Sequence, residues 1–568
     1  MNEKKAQEHI RQAVLDNLSW LNELPSQESE ILEKTKEEAL PLVTVYSKKT
    51  NMPDPVYTPQ YNVKHSLRLR PVLAFCAVLV LLTGVWAVYH NNSLDGRYVP
   101  PDAVTETACI ETTSGTPDQD GSSPALPAAV SRTENSGHET STLDRIDLYV
   151  DPDLLWNNET GILADGDNIV KEPGKVPFKN STYRKMKDAG TLVDGELIYQ
   201  TNTRAVLFRD KIRLGLAGDY SLDMPQKSFR IDAADGSFDF PLFDDRTSSA
   251  YPSILLRNSG NDSMWTRVQD GVQHRLIDKY TETGLLTQAW RPVNVYLNDE
   301  YWGIYNMRET IDGHTVCRHE QIPDEMADSV TILSIDGSAM QGSSREFREM
   351  RKKIAGSHPG ENPEDLAWLE QEIDINSFLD WLTVEMYFGN SDIATGVVYK
   401  VPGGKWKCLI SDLDYGLFSS SFNSVKSYLK EAGMGDQKVN NTIFLKILEV
   451  EQYKDLFFTK LGNLFRSLTT ENMWKELDEC VAWIKPDMRA HVERWAPEYD
   501  TCVIQEVPTT ADAAYRYWEK RVNRLQNVMH KRPTMLYGFI QEYFNMSSEE
   551  MDVYFPTDIP ATVEDLTF

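Results

Sequence analysis

A run of 19 residues without a charged side chain, 71–89, constrains this chain more than any other feature. It reads PVLAFCAVLVLLTGVWAVY. At the helical rise it spans about 28 Å, close to the thickness of a bilayer's hydrocarbon core. Lys64, Arg68 and Arg70 precede it as basic anchors, and Trp86 and Tyr89 close it as interfacial aromatics. The run predicts a single transmembrane helix with residues 1–70 in the cytoplasm and the rest of the chain beyond the membrane. It begins too late and continues too long for the apolar region of a cleaved signal peptide.

The two sides of that run differ. Residues 1–70 balance ten acidic against ten basic side chains, so the formal net charge of -28 lies almost wholly beyond them. Ile10, Val14, Leu18 and Leu21 fall at helical spacing, and a charged stretch over 26–40 follows, which predicts a small helical tail. An excess of carboxylates argues against nucleic acid as a partner, because binding phosphates needs clustered Lys and Arg. Six cysteines, Cys76, Cys109, Cys317, Cys408, Cys480 and Cys502, include no CxxC pair and no zinc spacing, and read mainly as small buried residues.

Residues 90–142 are rich in Ser, Thr, Pro, Gly and acids and almost lack large apolar side chains, so they cannot bury enough surface to offset ordering entropy. They read as a disordered stalk. From 143 to 555 the chain reads as one domain, followed by a tail over 556–568. Ile146, Leu148 and Val150 alternate with polar or amphipathic positions as in a half-buried strand. Further strands are expected over 211–216, 228–231 and 253–257, and through Val293, Val295 and Leu297 into a turn at Asn298-Asp299 and the run 301–307. From about 361 the period becomes helical, with a helix capped near Asn376 and others around 441–467, 471–485 and 510–546. The fold class is α+β, a strand-rich N-terminal half and a helical C-terminal half joined by a hairpin.

That hairpin carries the chemistry. Asp392 follows Gly389-Asn390-Ser391, and Asp412 and Asp414 follow two candidate strands, 397–401 and 405–410, joined by Pro402-Gly403-Gly404. Such a hairpin returns the carboxylates to one end, where mutual repulsion calls for a shared proton or a cation such as Mg²⁺ or Mn²⁺. Phosphoryl transfer uses this arrangement: one carboxylate orients the attacking hydroxyl and another holds the metal that bridges the phosphates. There is no GxxxxGK[ST] loop, GxSxG elbow or HExxH helix.

Read in order, PQKSFR (225–230), LLRN (255–258) with Asp262 and Arg267, PVNVYLNDEYWGIY (292–305) with Arg308-Glu309, GNSD (389–392) and DLDYG (412–416) resemble the spore-coat CotH kinase family. The resemblance implies an atypical, protein-kinase-like domain that transfers phosphate from ATP to serine, with Asp392 catalytic and Asp412 or Asp414 holding the metal. It implies that Lys227 and Arg230 contact the nucleotide phosphates and that Glu309 positions such a base. Arg257 and Asp262 read as a structural ion pair. The expected cofactors are ATP with Mg²⁺ or Mn²⁺, and the expected partners are an exported Ser-rich protein and the bilayer through residues 71–89. One departure stands out: relatives have Asn about five residues after the catalytic Asp, where this chain has Gly396 and Val397. It leaves a nucleotide-binding pseudokinase, or a surface interaction protein on the same fold, as the alternative.

Overall fold

The computed structural model describes residues 141–164, 181–501 and 507–560, all within the second of the chain's two units, Val130–Phe568. The apolar run 71–89, the expected tail over 1–70 and the stalk lie outside the described residues, apart from the stalk's last two positions, as do residues 561–568 of the expected C-terminal tail. Among the described residues no helix is long and apolar enough to cross a membrane.

Alternation of apolar and polar side chains builds a closed seven-stranded barrel. Its strands are β1 (Arg145–Val150), β2 (Leu192–Gln200), β3 (Val206–Ala217), β4 (Ser228–Ala233), β7 (Ser253–Arg257), β8 (Trp290–Leu297) and β9 (Glu300–Glu309); β5 (Phe238–Asp239) and β6 (Ala250–Tyr251) form a separate ribbon. The barrel order is β1-β2-β3-β4-β7-β9-β8, and β1 closes it by pairing in parallel with β8, Arg145 opposite Asn294. Ile146, Leu148, Leu214, Phe229, Ile231, Leu256, Val295 and Met307 fill its interior. The β8–β9 turn holds Asn298 and Asp299 at φ 48° and 68°, the left-handed geometry of a tight hairpin that Asn and Asp tolerate.

The expected strands are present, but the barrel closure and a helix between β7 and β8 were not anticipated. That helix, α1 (Gln269–Tyr280), buries Gln269, Asp270, Gln273 and His274 beside Val272 and Leu276, so no simple apolar stripe marks it. After the barrel comes a helical assembly: α2 (Ile375–Phe388), α3 (Glu451–Ser467), α4 (Thr470–Trp495) and α5 (Ala511–Phe544), with shorter helices between them. The N-cap of α2 is Asp374 rather than Asn376; its carboxylate accepts from Ser377 N at 3.0 Å. Trp381 of α2 stacks on Phe444 at 5.4 Å, and both belong to the large core of the helical part.

The expected hairpin is formed by β12 (Val397–Lys400) and β13 (Lys407–Leu409), in register Val397 to Leu409. It comes after the barrel in the chain rather than between the two halves, and its Leu409 forms a parallel bridge with Leu286 ahead of β8. It forms one edge of a second sheet with β10 (Thr331–Ser334) and β11 (Ala339–Gln341), in the order β11-β10-β12-β13, and β13 packs on α2. Cys317, Cys408 and Cys480 are buried and unbridged, as expected of small core residues.

Leu256 is fully buried in the barrel. Leu256→Ala is expected to cost about 2–5 kcal/mol of stability, the range for a core leucine whose cavity relaxes only partly. Urea unfolding measures it, and a cost under about 1 kcal/mol contradicts the barrel packing.

Candidate functional site

The site is built where α2 ends. The α2 carbonyls of Met386 and Tyr387 lack partners along the helix, as the last turn of any helix does. Arg532 of α5 supplies them: Nη2 donates to Met386 O at 2.7 Å and Nε to Tyr387 O at 2.8 Å. The same guanidinium donates to Phe422 O, Ser420 O and Ser424 Oγ, and among the described residues no carboxylate forms an ion pair with it. Burial pulls its pKa down to about 10, so it remains a cation at neutral pH, favoured at a helix C-terminus. Gly389 then turns the chain at φ 62°, and a Cβ there would sit 2.8 Å from the Arg532 guanidinium, so glycine is required.

Asn390 ties the next residues together. Its Oδ1 accepts from Asp392 N at 3.1 Å and its Nδ2 donates to Asp412 O at 3.4 Å. Asp392 is half-buried, accepts from Gln437 Nε2 at 3.1 Å, and takes part in no ion pair among the described residues. Burial, and secondarily the charge of Asp412, raise its pKa above the usual carboxylate value. Asp392 and Asp412 thus lie at one end of the β12–β13 hairpin and sense each other.

The loop after β13 is anchored from the barrel side. Asp270 of α1 accepts from Leu413 N at 2.8 Å and forms a buried ion pair with Arg308 of β9. Burial opposes its charge, but Arg308 and then Arg257 outweigh that and hold Asp270 well below its usual pKa. Gln269 Nε2 donates to Asp414 O at 3.0 Å and to Gly416 O at 2.6 Å. Asp412 sits at φ 47°, which a short polar side chain tolerates, with its carboxylate 30% exposed. Asp414 is buried and accepts from Asn261 N at 2.8 Å. Burial, then Asp412, pushes its carboxyl up.

The expected site residues therefore separate into two groups. Asp392, Asp412 and Asp414 come together. Lys227, Arg230 and Glu309 contact none of them: Lys227 Nζ donates to Met224 O and lies 4.5 Å over the Tyr183 ring, while Arg230 is exposed and pairs with Asp232 at 2.7 Å. Glu309 is buried and positions no β4 base; it accepts from Arg246 Nε and Ala289 N, both at 3.0 Å, with Arg318 at 3.4 Å. The Arg257–Asp262 pair does not form. Asp262 accepts from Thr266 N, Thr266 Oγ1 and Gln269 N and so fastens the start of α1, whereas Arg257 reaches Asp412 and Asp414.

Glu385 was missed. It lies on the buried face of α2, with Oε2 lacking a hydrogen-bond partner, and burial raises its pKa to about 8 despite help from Asn390. A lone acid inside the apolar run WLTVEMYF was the available signal.

Asp392 and Asp412 offer the hard oxygen donors that Mg²⁺ or Mn²⁺ prefers, and Asp412 is accessible. Among the described residues no group of three or more His, Cys, Asp or Glu side chains is placed to hold a metal. These carboxylates would fit one such ion only if water and phosphate oxygens supplied its remaining ligands. They do not fit a second at the 397 position: Val397 is buried with Ile332 and Tyr399, and a Cβ on Gly396 would lie 2.5 Å from Trp381.

Asp392 and Asp412 thus sit at one end of a hairpin, behind a helix held by a buried arginine and beside a strand-rich region. The family model of CotH kinase proteins matches residues 214–536, more than half of the chain, and the chain belongs to that family. The barrel strands β1 and β2 precede the matched segment. No curated protein matches the chain.

Folded Glu385 keeps its proton to about pH 8 against an ordinary 4.5, so unfolding releases a proton between those values and stability falls as pH rises through that window. Glu385→Gln is expected to flatten this fall, leaving stability near pH 5 little changed and raising it at pH 8. Urea midpoints measured from pH 5 to 8 check this; parallel profiles for the two proteins contradict it.

Proposed function

We propose that this protein is a membrane-anchored, extracytoplasmic atypical protein kinase that transfers the γ-phosphate of ATP to Ser or Thr of an exported, cell-wall or coat protein. The observation that carries the kinase reading is the meeting of Asp392 and Asp412 at one end of a hairpin. Membership of the CotH kinase family supports a kinase-like activity. The anchoring rests on residues 71–89, and the acceptor class on the family resemblance.

In this reading Asp392 holds the acceptor hydroxyl and takes its proton as the oxygen attacks the γ-phosphorus and the bond to ADP breaks. Its raised proton affinity suits a group that must accept one. Asp412, with Asp414 as the nearby alternative, would hold a single Mg²⁺ or Mn²⁺. When bound, ATP with that ion supplies the phosphoryl group and neutralises its oxygens. Asn390 and Arg532 keep the loop in position for both acids.

A second reading is a nucleotide-binding pseudokinase or surface interaction protein, favoured by the apolar, buried Val397 where the family resemblance leads one to expect a metal-ligating Asn.

With the full-length protein, radiolabelled ATP and Mn²⁺, label should appear on the chain itself or on a Ser-rich acceptor. Asp392→Asn should reduce transfer by roughly 10²–10⁴-fold, the usual contribution of a positioned base, while nucleotide still binds. Binding without labelling in the wild-type protein selects the pseudokinase.

A further inference from the structure

Three carboxylates, Asp270, Asp412 and Asp414, face two guanidiniums, Arg257 and Arg308, and Asp392 senses Asp412 beside them. The two cations are held differently. Arg308 is 1% exposed and committed to Asp270. Arg257 ends β7, is 14% exposed, and bridges outward: Nη2 donates to both Asp412 Oδ1 and Asp414 Oδ2, the latter at 2.9 Å. Its Nε lies 3.8 Å from Asp270 and makes no hydrogen bond. Gly260 lets the backbone close over this bridge at φ 58°, since a Cβ there would lie 2.2 Å from Asp414 Oδ2 and 2.4 Å from Arg257 Nη2. Lys227 and Arg230, which the resemblance assigns to the phosphates, are engaged elsewhere.

We propose that Arg257 is the phosphate-binding cation of this site and that, without nucleotide, it is also the counter-ion occupying Asp412 in place of the divalent metal. This deepens the kinase reading and rests on nucleotide binding at Asp392 and Asp412. A guanidinium presents a planar fork of donors matched to phosphate oxygens, and it carries the charge that the paired acids need while no metal is present. Entry of metal with nucleotide exchanges partners. Asp412 passes from the guanidinium to the metal, and Arg257, still anchored by Asp414, turns its freed donors to the phosphates. Metal alone must therefore compete with Arg257, whereas metal with nucleotide gains from it.

The test uses the full-length protein, Mn²⁺ alone and MnATP, with affinities read by calorimetry and by the electron spin resonance of free Mn²⁺. Arg257→Gln is expected to bind Mn²⁺ alone more tightly, by about fivefold or more, and MnATP more weakly by about tenfold, the loss of one charge-assisted contact. Arg257→Lys keeps the charge within the cluster and guards against misfolding. It should bind Mn²⁺ alone as the wild type does, yet MnATP several-fold more weakly for want of the fork. Weaker Mn²⁺ binding in Arg257→Gln overturns the counter-ion role, and unchanged MnATP binding in both variants overturns the phosphate role while leaving the kinase reading intact. A wild-type protein that binds Mn²⁺ but no MnATP removes the nucleotide reading and the phosphate role with it.

Discussion

The buried carboxylate of Asp270 joins the two parts of the domain. It receives Arg308 from the barrel wall, lies near Arg257 from the neighbouring strand, and accepts the Leu413 amide from the loop that carries Asp412 and Asp414. A buried ion pair is poor evidence of stability in itself, because desolvation offsets much of the attraction. Its consequence here is registration. The loop's amide has one acceptor, that acceptor is fixed by two arginines, and the acids on either side of Leu413 are therefore placed relative to the barrel.

Arg532 does the corresponding work from the other side. It is a charged residue near the middle of a 34-residue helix, and it satisfies carbonyls at the end of α2 and in the segment after the DLDYG motif. The loop holding Asp392 and the loop holding Asp412 are thus fixed by different helices, α5 and α1. Glu385 lies within the same region, and its retained proton spares this crowded site one more negative charge.

Much of this was legible in the sequence. Period-two alternation located the barrel strands, the Asn298-Asp299 turn located a hairpin, and the spacing from Asp392 to Asp412 brought those acids to one end. What escaped was information carried by partners far away along the chain. Nothing local tells Arg257 that its carboxylates lie about 155 residues downstream rather than at Asp262 five residues away. Polar residues on the buried face of α1 hide its period, because Asp270 and Gln273 are inside as anchors rather than outside as solvated groups. Lys227 and Glu309 looked like a phosphate-binding pair by order alone, yet Met224, Tyr183, Arg246 and Arg318 are their neighbours.

The parallel seam between β1 and β8 also bears on how the domain assembles during synthesis. β1 leaves the ribosome first and can add β2 at one edge straight away, but its other edge has no mate until 294–297 appear. For that interval the nascent sheet is an open ribbon with exposed backbone donors and acceptors, a shape that invites wrong pairings. Completing the cylinder is therefore a late event, and the loop bearing Asp412 and Asp414 is synthesised only after β7 and α1, which anchor it, have emerged.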